Sequence, residues 1–423
     1  MNRKSQFCIL VFHRAPRAAM GALLMAVMLV VMSVLAQPAP AQTFQVLYNF
    51  PWGMGGGDPL SSVTVAPNGN LYGTTFTGGT GYGMVYRLNH ANGGWLFSPL
   101  YDFQGGTDGS LPETLVTVGP DGNLYAAVGD NGTGCGGYGC GMVFQLRPHP
   151  TACQAVLCFW TKTVLYSFEG GNDGWDPTGS LIFDQAGNIY GQTYYGGPYN
   201  YGTVFKLTPT QSGWVESVLY SFTGGADGSY PGSLNLDQSG NLFGVAAEGG
   251  AYGYGTVFEL SPSGSGWRLN TLYTFTGQSD SGYPLGLVRD QTGNLYGVTI
   301  GEGCSGRSCP RGIEGVGPST VFTLSQGNWT YSTLYDYEGL YEASISIDSA
   351  GNLYVAVVDG GAYGNGYVFE LAHGTWTYTD LHHFDGTDGS SPTGVTIDSH
   401  GTVYGTTSRG GPDDAGVIFE ITP

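Results

Sequence analysis

The chain has 423 residues, a formal charge of −19 and only 11% charged residues, with 74 Gly and 29 Tyr. So acidic a chain, holding 13 Lys plus Arg, is a poor partner for nucleic acid or an anionic membrane surface. Its Gly and Tyr content, with no sustained helical periodicity beyond the N-terminus, excludes a helical bundle and fits many tight turns joining short strands.

Residues 1–41 read as an export signal. Arg3, Lys4, Arg14 and Arg17 precede an uncharged apolar stretch from Ala18 to Ala36, and Ala39-Pro40-Ala41 forms a small-x-small cleavage site before Gln42. The apolar stretch is also long enough to span a bilayer, so a cleaved signal peptide and a retained N-terminal anchor both stay open. Either way the body of the protein is expected to be secreted, periplasmic or on the cell surface, and any membrane contact would run through that segment alone.

From residue 42 onward one phrase recurs seven times. It is centred on Asn70-Leu71-Tyr72, Asn123-Leu124-Tyr125, Asn188-Ile189-Tyr190, Asn241-Leu242-Phe243, Asn294-Leu295-Tyr296, Asn352-Leu353-Tyr354 and a degenerate Thr402-Val403-Tyr404. A repeat of this length built from short β-prone phrases is the sequence signature of propeller blades. In the copy from Pro177 to Phe222, four such phrases separated by Gly and Asp turns make a four-stranded meander. Asp184, Asp237, Asp290, Asp348 and Asp398 open the first turn, where a carboxylate can hold the backbone two residues on. Trp95, Trp160, Trp214, Trp267, Trp329 and Trp376 open the outermost strand and are expected to pack between blades.

The seventh copy stops at Ile421 without its tryptophan strand, while residues 43–50, Thr-Phe-Gln-Val-Leu-Tyr-Asn-Phe, match that missing outer strand. The expected fold is therefore all-β, a single seven-bladed β-propeller over residues 42–423, whose last blade is completed by the N-terminal strand 43–50. Closing the ring in this way removes a free sheet edge.

The order of phrases, with a Pro-led inner strand at Pro59, Pro112, Pro177, Pro231, Pro284 and Pro392, resembles NHL-type propellers. The combination of Leu-Tyr-Ser-Phe, Gly-Gly-Ala-Asp-Gly, Gly-Asn-Leu-Tyr-Gly and Gly-Thr-Val-Phe-Glu-Leu resembles the GloVer tandem-repeat family of exported bacterial proteins, over residues 43–423. Members of that family commonly carry a C-terminal anchoring segment, and this chain ends two residues past its last strand. The resemblance implies an exported propeller and no particular reaction.

Beyond Cys8, six cysteines form three equally spaced pairs, Cys135/Cys140, Cys153/Cys158 and Cys304/Cys309. In an exported protein these should oxidise. The first two pairs lie at opposite ends of a strand from Gly141 to Leu146, which spans roughly 20 Å, so each pair is expected to close locally.

Candidate site residues come from positions where the copies differ. Trp52 and Trp175 fall outside the tryptophan pattern, on loops that share one face with Tyr195 and Tyr199. Aromatic faces beside Asp173 and Asp176 suit sugar rings. Asp58, Asp108, Asp173, Asp227, Asp280 and Asp388 recur once per blade except in the sixth and read as turn caps. No metal is expected, although Asp173 and Asp176 with loop carbonyls offer the one place for a calcium ion. The insertion from Gly301 to Ser319 adds Arg307 and Arg311, and reads either as a lid or recognition finger or as a tolerated insertion.

Neither a Gly-x-Ser-x-Gly elbow, a His-Glu-x-x-His pair nor a phosphate-cradling loop is present, and no catalytic residue or cofactor is assigned. His382 and His383 alternate along a strand and face opposite ways. The expected role is that of an exported monomeric binding or scaffold module for a glycan or a protein. The alternative is a glycan-active hydrolase or lyase using carboxylates of the same face.

Overall fold

A computed structural model describes residues 42–91, 93–129, 135, 139–148, 160–301, 318–339 and 342–422. Seven four-stranded antiparallel sheets follow one another along the chain as blades 1 to 7. Their innermost strands are Thr64–Val65, Thr117–Val118, Trp175–Phe183, Ser229–Leu236, Gly282–Arg289, Ala343–Ile347 and Ser390–Ile397. In each of blades 1 to 6 the chain then runs outward strand by strand. Blade 7 takes its outermost strand, Thr43–Asn49, from the N-terminus, paired antiparallel with Val417–Thr422. The structure thus bears out the seven-bladed fold and its closure.

The recurring phrases have physical causes. Gly191, after the Asn-Ile-Tyr opening, pairs with Phe205 across the sheet, and a Cβ there would lie 2.4 Å from the Phe205 ring. Third-strand aromatic rings, fully buried at Tyr86, Phe144, Phe205, Phe258, Phe322, Phe369 and Phe419, thus fill the middle of every blade. Trp95 packs edge-on against Tyr404 of blade 7, Trp160 against Tyr72 of blade 1, and Trp267 against Tyr190 of blade 3. The tryptophans are inter-blade packing, as the repeat implied.

The turn aspartates also act as expected. Asp184 accepts hydrogen bonds from the backbone N–H groups of Ala186 and Asn188, both at 2.9 Å, and from the Asn188 side chain at 2.7 Å.

Around the axis, a polar side chain on one inner strand donates to the backbone of the next. Thr64 reaches the Val116 carbonyl, Thr117 reaches Leu181 at 2.9 Å, and Asn235 reaches Leu287 at 2.8 Å. Ser346 reaches Val395 at 2.5 Å, and Thr396 reaches Val63 of blade 1 at 2.7 Å. The same station holds Ile182 in blade 3 and Val288 in blade 5. Residues 1–41, Cys153, Cys158, Cys304 and Cys309 lie outside the described residues, whereas Cys135 and Cys140 form the expected local disulfide.

Candidate functional site

Each inner strand is entered through one residue whose backbone is fixed by its neighbour. Asp58, Leu111, Asp176, Tyr230, Tyr283 and Ser391 precede the leading proline with φ between 50° and 60°. That left-handed region costs a non-glycine residue about 1–3 kcal/mol, and a following proline disfavours it further. A bond to the preceding blade holds it: the N–H of Asp176 donates to the Cys140 carbonyl at 3.0 Å, Tyr230 to Tyr201 at 2.9 Å, and Tyr283 to Tyr254 at 2.8 Å. Asp58, Leu111 and Ser391 do the same to Ala415, Tyr82 and Asn365.

Blade 6 lacks the proline, but its register assigns the equivalent residue. Ala343 lies opposite Val357 as Pro177 lies opposite Thr193, so Glu342 takes the same station. The left-handed backbone is shared by the six proline-led blades and not by Glu342, while the side chain at the station changes: Asp, Leu, Asp, Tyr, Tyr, Glu and Ser in blade order.

Four of these seven residues, Asp176, Tyr230, Tyr283 and Glu342, line one cavity of about 410 Å³ together with Glu113, Tyr194, Tyr195 and Ile300. Contributions from blades 2 to 6 meet there, at the mouth of the central channel on the face where outer and second strands end. The tyrosines form a continuous wall. Tyr194 stacks on Tyr230 with centroids 4.8 Å apart, and Tyr195 stacks on Trp175 at 4.3 Å. Trp175 is itself oriented by a 3.2 Å hydrogen bond from its Nε1 to Asn200 Oδ1.

Burial first, then the charge of Glu248, raises the Tyr230 hydroxyl, and burial raises the Glu248 carboxyl itself. The Glu248 charge is likewise felt at Tyr194 and Tyr283. No Lys, Arg or His is among the described lining residues.

The structure brings together Trp175, Tyr195 and Asp176 of the sequence candidates. It holds Asp173 in a turn, where Oδ2 accepts the Glu169 N–H at 2.8 Å and the Tyr166 hydroxyl at 3.1 Å. Asp108, Asp227 and Asp280 cap their turns in the same way. Asp58 departs from that set: it occupies the station before proline, so the expectation that it caps a turn is corrected. Trp52 and Tyr199 are half or more exposed, at 50% and 59%, and line no part of the cavity. Arg307 and Arg311 lie outside the described residues.

Sequence reasoning missed Glu113, Glu342, Tyr194, Tyr230 and Tyr283. Comparing the residue before each leading proline across copies would have exposed Tyr230 and Tyr283, because that position differs while its surroundings repeat. Among the described residues no group of three or more His, Cys, Asp or Glu side chains is placed to hold a metal ion, and no helix is long and apolar enough to cross a membrane.

Several solved structures share the propeller architecture at low identity. The extracellular domain of a one-component system from B. thetaiotaomicron matches with a TM-score of 0.56 at 8% identity, over 89% of this chain and 39% of that one. The chain therefore spans about two fifths of that protein. PorZ, a surface component of the type-IX secretion system of Porphyromonas gingivalis, matches at 0.51 and 14%, over 89% and 47%. A protein assigned as a 6-phosphogluconolactonase from Bacteroides fragilis matches at 0.51 and 14%, over 82% and 87%. These likenesses concern the fold alone. No curated protein matches the chain. The Gloeobacter/Verrucomicrobia repeat matches residues 136–340 and 311–423, more than half of the sequence, and the protein belongs to that repeat family.

Proposed function

We propose that this protein is an exported binding module that takes a saccharide at the mouth of its central channel. The observation that carries this reading is the cavity itself, where stacked tyrosines from blades 3 and 4 face carboxyl groups from blades 2, 3 and 6. Flat aromatic faces receive the C–H side of a sugar ring, and carboxylates accept its hydroxyl protons. Export rests on the leader of residues 1–41 and on the repeat family.

Retention on immobilised polysaccharides, with and without calcium, tests the proposal. Wild-type protein should be retained, and the double substitution Tyr194→Ala and Tyr230→Ala should lose at least tenfold in affinity. Equal retention of both proteins would sink the site. A second reading, a glycan-active hydrolase, draws on Glu113, Asp176 and Glu342 lining one cavity, since such enzymes use a pair of carboxyl groups flanking the bond. Sugar released in the same assay would favour it over binding alone.

A further inference from the structure

We propose that Gln192 is the specificity-determining residue of the channel mouth. Its side-chain amide takes two adjacent hydroxyl groups of a sugar ring that enters edge-first, so the site selects an unsubstituted chain end. This rests on the saccharide reading above and names the part of the sugar which that reading leaves open.

The first observation is an amide without a partner. Gln192 is only 2% exposed, and among the described residues nothing hydrogen-bonds to its buried Oε1. Its station on the second strand, opposite a valine or isoleucine of the third, holds Thr74, Ala127, Val245, Val298, Ala356 and Thr406 in the other blades. The two hydroxyls in that set are tied down, Thr74 to the Thr114 carbonyl at 3.4 Å and Thr406 to the Ser61 carbonyl at 2.8 Å. Gln192 is the long polar side chain at this station, and its acceptor is idle. Buried polar groups are nearly always bonded, and leaving one idle costs stability, so an idle amide beside a cavity marks a place for a ligand.

The second observation is where that amide sits. Gln192 and Tyr194 lie two residues apart on one strand and share a face, which sets Gln192 roughly 7 Å deeper in the channel than that wall tyrosine. Thr178, its partner across the ladder, lines the cavity, as does Gly232 of blade 4. Next to Thr178, Gly179 has φ 72°, and a Cβ there would lie 2.8 Å from Gln192 Nε2. No side chain therefore comes between the amide and this part of the inner strand. Rotation about the last side-chain bond, a broad torsion, turns either end of the amide towards the cavity.

A carboxamide carries an acceptor and a donor side by side. Two neighbouring hydroxyls of a sugar ring match it as a pair, one donating to Oε1 and the other accepting from Nε2. The tyrosine wall takes the face of the ring while its edge points down the channel. A ring in mid-chain is linked on both sides and lies across the mouth, whereas a terminal ring has a free edge to offer to Gln192.

Calorimetric titration of the purified protein with the methyl glycosides of glucose, galactose and mannose, and with the linear hexamers of the same sugars, tests the proposal. At least one glycoside should bind within about threefold of its hexamer. Among its 2-, 3-, 4- and 6-deoxy analogues, two that are neighbours on the ring should lose about tenfold or more, since a site built to bond a hydroxyl rejects the analogue lacking it. Gln192→Met should lose about tenfold in affinity with Tm unchanged or raised, because the exchange removes an unpaired buried amide. A merely structural role would lower Tm and leave affinity as it was. Affinity unchanged in Gln192→Met, losses at non-adjacent hydroxyls, or a hexamer bound more than about tenfold tighter than its glycoside overturns the inference and leaves the saccharide reading in place. Binding of none of these sugars overturns the saccharide reading, and the inference with it.

Discussion

Lys162 and Glu216 occupy the same register position of consecutive blades, Lys162 opposite Leu146 and Glu216 opposite Leu207. Each faces the capping aspartate of the preceding turn. Lys162 meets Asp108 in a 2.7 Å ion pair and lies over the Tyr101 ring, whereas Glu216 meets Asp173, a second negative group. Burial first, then the Asp173 charge, pushes the Glu216 carboxyl up to about 7, and neither Glu216 Oε1 nor Asp173 Oδ1, both buried, has a hydrogen-bond partner.

Folded Glu216 therefore holds its proton more tightly than the unfolded chain does. Its contribution is fully present below the unfolded value near 4.5 and is lost as pH rises through about 7. The expected cost above neutrality is roughly 1–2 kcal/mol once discounted for the solvent that still reaches the group. Urea melts at pH 5 and pH 8 should show this loss in the native protein and not in Glu216→Gln. Glu216→Lys should copy the Lys162 arrangement and raise stability at pH 8.

Glycine at one loop station is set by the neighbouring blade and elsewhere only by its own backbone. Gly202 has φ 93°, and a Cβ there would sit 2.5 Å from Pro231 Cδ of blade 4; Gly187 has φ 82° with open space around it. Gly187→Ala should cost about 1–2 kcal/mol, the left-handed penalty alone. Gly202→Ala adds a collision with a rigid ring and should cost clearly more, about 3 kcal/mol or above. Paired thermal melts of the two variants measure the difference.

Thr396 joins the last inner strand to the first through the Val63 carbonyl. Thr396→Val keeps the shape and leaves that carbonyl without its donor, which should cost about 1–2 kcal/mol in denaturant melts. Ile182 and Val288 show that a joint tolerates an apolar residue when the facing strand is built around it. The penalty should therefore shrink if the facing strand is redesigned at the same time.

The Cys135–Cys140 disulfide closes a loop of only a few residues. Loop-closure entropy limits its contribution to roughly 2 kcal/mol, so mild reduction should lower Tm by a few degrees and leave the fold standing. Peptide mapping without reductant should recover Cys153 with Cys158 and Cys304 with Cys309; cross-linked peptides between insertions would refute local pairing.

Much of the fold was legible because the chain states it seven times. Asp184, Gly191 and Trp267 each recur at matching positions, and a requirement that recurs with the backbone is a requirement of the backbone. The closing strand was legible from the same rule, since one phrase was missing at one end and present at the other. The cavity was less so. Tyr194 and Tyr230 are far apart in the repeat and meet only because the second strand of blade 3 lies beside the inner strand of blade 4. Glu342 was hidden because its blade lost the proline that marks the station elsewhere, and only the pairing of Ala343 with Val357 restores the alignment. Asp58 misled for the opposite reason: its Gly-Asp context imitates a turn cap while its register matches Leu111.

The pairing of Thr43–Asn49 with Val417–Thr422 sets a clock on biogenesis. The first strand to be made waits for the last, so at ordinary synthesis rates it stays unpartnered for tens of seconds. Six blades can form in the meantime, but the seventh cannot, and the ring remains an open horseshoe with two sticky ends. A chain truncated anywhere before Val417 should therefore be a substrate for chaperones and proteases, so that ring closure itself reports whether the closing strand has been made.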